Sequence, residues 1–212
     1  MTIAMLDLKN YKSILCLSGE LPNADFFATD LPIIAADGAT NHLMQLGITP
    51  KIVIGDLDSV SPEHLKIIPS HYHYDQNFCD FEKSLQYLEK NQMLPAVIVG
   101  LNGGYLDHVL NNVNHFLQAG CVLFAPPIYG FALNEGLDKR LTLPLNTKIS
   151  LLGIPEATVT TKGLKWNLCD DQLTFPGKNS CFNRTQEREV EIQVHSGSAL
   201  VLVYDEIASK KP

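Results

Sequence analysis

Residues 52–59 read Ile-Val-Ile-Gly-Asp-Leu-Asp-Ser, and the fold is decided there. A β-branched apolar run, the pattern of a buried strand, stops at Gly55. Asp56 and Asp58 follow at alternate positions. In an extended segment, residues two apart share a face, so the two carboxylates are expected about 6–7 Å apart at the end of the strand. At an effective dielectric of about 20, like charges at that distance repel by about 2–3 kcal/mol. A divalent cation turns that cost into attraction, and hard oxygen ligands suit Mg²⁺. The competing structural reading is an acidic turn, in which Asp58 or Ser59 caps a helix that Pro62 helps to start.

Outward from this stretch, short apolar runs alternate with amphipathic ones up to about residue 125. Strands are expected at 13–17, 32–36, 51–54, 71–74, 96–99 and 121–124. Helices are expected near 24–28, 39–46, 63–67, 80–90 and 106–118. Phe81, Leu85 and Leu88 repeat at helical spacing, as do Val109, Val113 and Phe116. The alternation implies an α/β domain over residues 1–128: a Rossmann-like, mainly parallel sheet flanked by helices, with ligands bound at the strands' carboxyl ends. From Asn134 onward the helical period disappears. β-prone runs at 140–143, 148–152, 157–161, 172–175, 190–194 and 199–204 are separated by turn residues. They predict an all-β domain over residues 129–212, of sandwich or barrel type.

Composition narrows the function classes. The 212 residues carry a formal net charge of −7, so no basic stripe is available for a nucleic-acid backbone. No apolar run reaches the length of a membrane span, and the N-terminal stretch lacks a signal-peptide core. The five cysteines show no CxxC spacing, which fits reduced thiols and a cytoplasmic setting. His71 and His73 lack a second pair at zinc-ligand spacing.

Three further polar clusters follow strands. Asp37-Gly38-Ala39, with Asn41, opens a helix whose N–H groups suit an anion. Gly103-Gly104-Tyr105-Leu106-Asp107-His108 offers glycines that let the backbone approach a phosphate, although no Walker A lysine follows. Asp75-Gln76-Asn77-Phe78-Cys79-Asp80 continues to Lys83. As plain structure, Asn77 caps the next helix and Asp80 is its acidic third residue. As chemistry, Asp80 completes a metal site with Asp56 and Asp58, while Lys83 neutralises a phosphate.

In order and spacing these elements resemble the thiamine pyrophosphokinase family across nearly all of the chain. Residues 36–41 match its ADGxxN turn, 55–59 its GD[FL]DS motif, 75–83 its D-x-D-x-T-D-x-x-K segment and 103–108 its GG-x-x-DH segment. Residues 161–168, with the chain's one tryptophan at Trp166, match T-x-G-L-x-W-x-L, and residues 180–183 an S-x-x-N element. The chain departs from the pattern at Asn77 (commonly Asp), Cys79 (Thr) and Tyr105 (often Arg).

The resemblance implies an ATP-dependent diphosphotransferase that moves pyrophosphate from ATP to the thiamine hydroxyl, releasing AMP. It implies Mg²⁺ on Asp56, Asp58 and Asp80. ATP would meet Asp37, Gly38, Asn41, Lys83, Gly103, Gly104, Asp107 and His108. Thiamine would meet Gln76, Trp166, Ser180 and Asn183. A homodimer with a site shared between subunits is also implied. The rival readings are a pyrophosphokinase for another hydroxymethyl heterocycle, such as a pterin, and a nucleotide- or thiamine-binding module without catalysis. A generic metal-dependent phosphohydrolase lacks a water-activating constellation beyond the aspartates.

Overall fold

The computed structural model describes residues 6–205. They divide into two compact units, one formed by residues 7–125 and the other by Leu6 with residues 126–205.

In the first unit, strands β1 (Ser13–Cys16), β2 (Ile33–Ala36), β3 (Ile52–Gly55), β4 (Ser70–Tyr72), β5 (Ala96–Val99) and β6 (Val122–Ala125) lie in the order β6-β5-β1-β2-β3-β4. Every adjacent pair is parallel. Side chains of β1 and β5 are buried on both faces, which explains why these strands read as unbroken apolar runs. Helices α1 (Ala39–Gln45), α2 (Pro62–Leu65), α3 (Asp80–Lys90) and α4 (Leu106–Phe116) connect the strands. The strand order reverses direction beside β1, which has β2 on one side and β5 on the other. That is where an open parallel sheet leaves a crevice at its carboxyl edge.

The expected stripe of α3 is buried at Phe81 and Leu88. The helix expected at 24–28 is a single 3-10 turn, Ala24–Phe27, and the one at 63–67 is the short α2. Asn77 does not cap α3. Its N–H and side-chain amide both donate to Asp75 Oδ1, at 2.9 and 2.8 Å, forming a local turn. The cap is Cys79, paired with Glu82 in a capping box.

The second unit is antiparallel: β7 (Ile128–Asn134), β8 (Asp138–Thr142), β9 (Lys148–Lys162), β10 (Asp171–Thr174), β11 (Ser180–Arg184) and β12 (Glu189–Tyr204). β12 pairs with β7, β8 and β9, and β9 also with β10 and β11. Four runs expected as separate strands are the halves of β9 and β12. Gly153 and Pro155 in one, and Ser196-Gly197-Ser198 in the other, read as breaks, yet the ladder runs through them with two register shifts. The extra residue in β12 near His195 reverses its side-chain parity. Val190, Ile192 and Val194 are buried before it, and Ala199, Val201 and Val203 after it. β7 and β11 were not expected, because Gly130 interrupts one run and the other is polar. Among the described residues no helix is long and apolar enough to cross a membrane.

Candidate functional site

The carboxyl ends of the parallel strands open on a cavity of about 450 Å³, a size suited to small-molecule ligands. Leu17 and Ser18 after β1, Asp56 after β3, and Gln76, Asp80, Lys83, Asp107 and His108 line it. Ser18 was not among the expected site residues. Its signal was the one used elsewhere, a strand running into a glycine turn (Ser18-Gly19).

Three carboxylates gather at this edge. One oxygen each from Asp37, Asp56 and Asp58 lies within 4.8 Å of the others. The extended spacing expected for Asp56 and Asp58 does not occur, because β3 ends at Gly55 and Leu57 turns the chain with φ +65°. Asp37, also left-handed at φ +38°, is brought in by the parallel pairing of β2 with β3, where its N–H donates to the Ile54 carbonyl at 2.8 Å. Strained residues at two adjacent strand ends mark functional edges. Gly55 makes the approach feasible: a Cβ there would stand 2.9 Å from Asp37 Cβ and 3.1 Å from Asp80 Oδ1.

The charges are held unequally. Gln76 donates to Asp56 Oδ2 at 2.8 Å, and this bond chiefly holds Asp56 below the ordinary carboxylate range. Burial pushes Asp37 up, and the charges of Asp80, Asp56 and Asp58 add to the rise against a hydrogen bond from Ser59. Burial also raises Asp80, opposed by Lys83, whose buried Nζ lies 3.1 Å from Asp80 Oδ1. Oδ1 of Asp37 is buried and has no hydrogen-bond partner among the described residues. An all-oxygen donor set with an unsatisfied buried carboxylate oxygen fits a hard divalent cation.

Some expected ligand contacts have other occupations. Asn41 donates to the Ser59 carbonyl at 2.7 Å and accepts from the Ser61 N–H at 3.0 Å, so it braces the loop that carries Asp56 and Asp58. A Cβ at Gly38 would meet Ser18 Oγ and Ser59 Cβ at ordinary contact distance, 3.4 Å each. Gly103 adopts φ +92° against Glu20, which fills the space where a Cβ would stand, whereas Gly104 faces open space. Asp107 and His108 are exposed at the start of α4.

In the second unit Trp166 is 56% exposed while its backbone is clamped. Buried Asn183 accepts from the Trp166 N–H at 3.2 Å and donates to its carbonyl at 2.7 Å. The same amide donates to Ser180 Oγ at 3.1 Å and accepts from the Arg184 N–H at 2.8 Å, so its hydrogen-bonding capacity is filled. Asn183 therefore positions Trp166 and has no polar atom left for a ligand. Lys165 Nζ lies 4.6 Å from the Trp166 ring centroid, a cation already on the aromatic face.

Two family models match the chain. Thiamin pyrophosphokinase, catalytic domain, covers residues 25–124, and thiamin pyrophosphokinase, vitamin B1 binding domain, covers residues 137–199. The chain belongs to the thiamine pyrophosphokinase family. It is 28% identical to thiamine pyrophosphokinase 3 of Oryza sativa subsp. japonica, over 72% of this chain and 64% of that protein. With thiamine pyrophosphokinase 2 of Arabidopsis thaliana the identity is 25%, over 69% and 62%. The chain thus spans a little under two thirds of each of these relatives. Its fold is similar to thiamine pyrophosphokinase from Bacillus subtilis, with a TM-score of 0.76 and 18% identity over 91% of this chain and 98% of that one. The yeast enzyme gives 0.75 and 17%, over 95% and 90%. At the departures from the thiamine pyrophosphokinase pattern, Asn77 closes a turn, Cys79 caps α3 and Tyr105 stands 79% exposed before α4.

Proposed function

We propose that this protein transfers the pyrophosphoryl group of ATP to the hydroxyethyl oxygen of thiamine, giving thiamine diphosphate and AMP. The observation that carries the reading is the Asp37, Asp56 and Asp58 cluster at the edge of a cavity lined by Lys83 and His108. On this reading the first unit (residues 7–125, against the boundary expected at 128) is a Rossmann-like nucleotide domain and the second (Leu6 with 126–205) supplies the vitamin contacts. Asp56 and Asp58, with Asp37 or Asp80, would hold Mg²⁺, which when bound neutralises triphosphate oxygens and the charge on departing AMP. Lys83, steadied by Asp80, meets the phosphate chain from the cavity wall. The residues otherwise act by positioning, the main protein contribution in phosphoryl transfer. The reading includes a cytoplasmic homodimer, and the five free thiols suit a reducing compartment.

The test is incubation with ATP, Mg²⁺ and thiamine with the nucleotide products resolved. AMP together with thiamine diphosphate is the expected result. ADP, or turnover that does not depend on thiamine, overturns it. Trp166, clamped at its backbone and with Lys165 over one face, would stack the thiazolium cation on its other face, an interaction worth about 0.5–2 kcal/mol. Trp166→Ala is therefore expected to raise the thiamine KM by about 2–30-fold. The KM for ATP should stay near wild type; equal changes in both constants would remove the stacking role.

A further inference from the structure

Beyond the oxygen-only cluster, three donors of different character face one another between the first turn of α3 and the last turn of α4. The Cys79 sulfur, a Glu82 carboxylate oxygen and a His115 ring nitrogen lie within 4.8 Å of one another, all half-buried. Backbone bonding fixes two of them: the Cys79 sulfur accepts from the Glu82 N–H, and Glu82 Oε2 accepts from the Cys79 N–H at 3.0 Å. His115 comes from the neighbouring helix, with Nε2 3.5 Å from Glu82 Oε2 and its ring edge-on to Phe81. Ligands around a tetrahedral Zn²⁺ stand about 3.3–3.6 Å apart, so side-chain torsions alone can close the three donors onto an ion.

We propose that Cys79, Glu82 and His115 form a three-ligand site for one borderline-soft divalent ion of the Zn²⁺ class, with the fourth coordination position open. Thiolate and imidazole select such an ion over Mg²⁺, which wants oxygen only. The site shares no ligand with the aspartate cluster, although Cys79 lines the same cavity as Asp56 and Asp80, and bound metal cross-links the start of α3 to the end of α4. Sequence spacing hides it, because His115 stands far down the chain from Cys79 and the two meet only through helix packing.

The test is titration of the metal-free full-length protein with Co²⁺ in excess Mg²⁺, following the near-ultraviolet thiolate-to-cobalt charge-transfer band. One equivalent is expected to produce the band, and one equivalent of Zn²⁺ to bleach it. Cys79→Ser, which keeps a good helix cap, should lose the band while unfolding like wild type. His115→Ala should weaken Co²⁺ binding by about 10–100-fold or more. A Cys169→Ser, Cys181→Ser double variant, lacking both exposed thiols, should retain the band. No band in the wild-type protein, a band that survives Cys79→Ser, or a band lost in the double variant overturns the site.

Discussion

Replacing Asp56 or Asp58 by asparagine is expected to lower thiamine-dependent AMP release by about 10²–10³-fold or more, with circular dichroism and unfolding midpoint near wild type. Both residues lie beyond the last ladder position of β3, so neither contributes to the sheet. Asn at 56 still accepts from Gln76, which preserves the local bond at 2.8 Å. What disappears is a negative charge aimed at the position of a cation, and with it the neutralisation that a triphosphate needs. A raised Mg²⁺ requirement should accompany the loss. Wild-type kcat in both variants, at low and high Mg²⁺, would sink the metal assignment.

Asp37→Asn should act in two opposite directions. Activity is expected to fall by about 10²-fold or more, since a buried carboxylate oxygen without a donor is lost from the cluster. Stability of the metal-free protein should rise by about 0.5–2 kcal/mol, because a buried like charge is removed and the new amide can donate to its carboxylate neighbours. The pH dependence has a definite sign. Burial and neighbouring carboxylates raise Asp37, and burial raises Asp80, so the folded protein keeps protons that the unfolded chain releases above about pH 4. Between the ordinary value and the raised one, stability therefore falls as pH increases. The variant should flatten that slope, and Mg²⁺ should oppose it in the wild-type protein. An unchanged melting profile together with full activity would show that Asp37 is not part of a charge trap.

Much of this site was legible in the chain. Gly55 stops an apolar run, the run is a strand, and the carboxylates do leave from its end. The bounds of α3 were legible because Phe81 and Leu88 set its buried face and Asn91 ends it. The place of Asp37 in the cluster was not, since it depends on parallel pairing of β2 with β3 and on two left-handed residues, Asp37 and Leu57. Amides were ambiguous for a related reason. A sequence shows that Asn41, Gln76 and Asn183 can bond, but not whether the partner is a ligand or a neighbouring loop. In the second unit Gly153, Pro155 and Gly197 looked like strand ends, because a bulge and a turn use the same residues.

The length of β12 has a consequence for how the protein is made. The first unit pairs strands that are all synthesised by residue 125, so its carboxylate cluster can assemble while later residues are still being added. In the second unit β7, β8 and β9 all wait for β12, the last of the described strands to be synthesised. Until then three strands offer open edges to other nascent chains. Lesions in β12 are thus expected to appear first as aggregated product in the cell, with normal turnover in the molecules that escape. Pulsed proteolysis of stalled nascent chains should find residues 7–125 protected before β12 has been added; a first unit left open until β12 is complete would refute this.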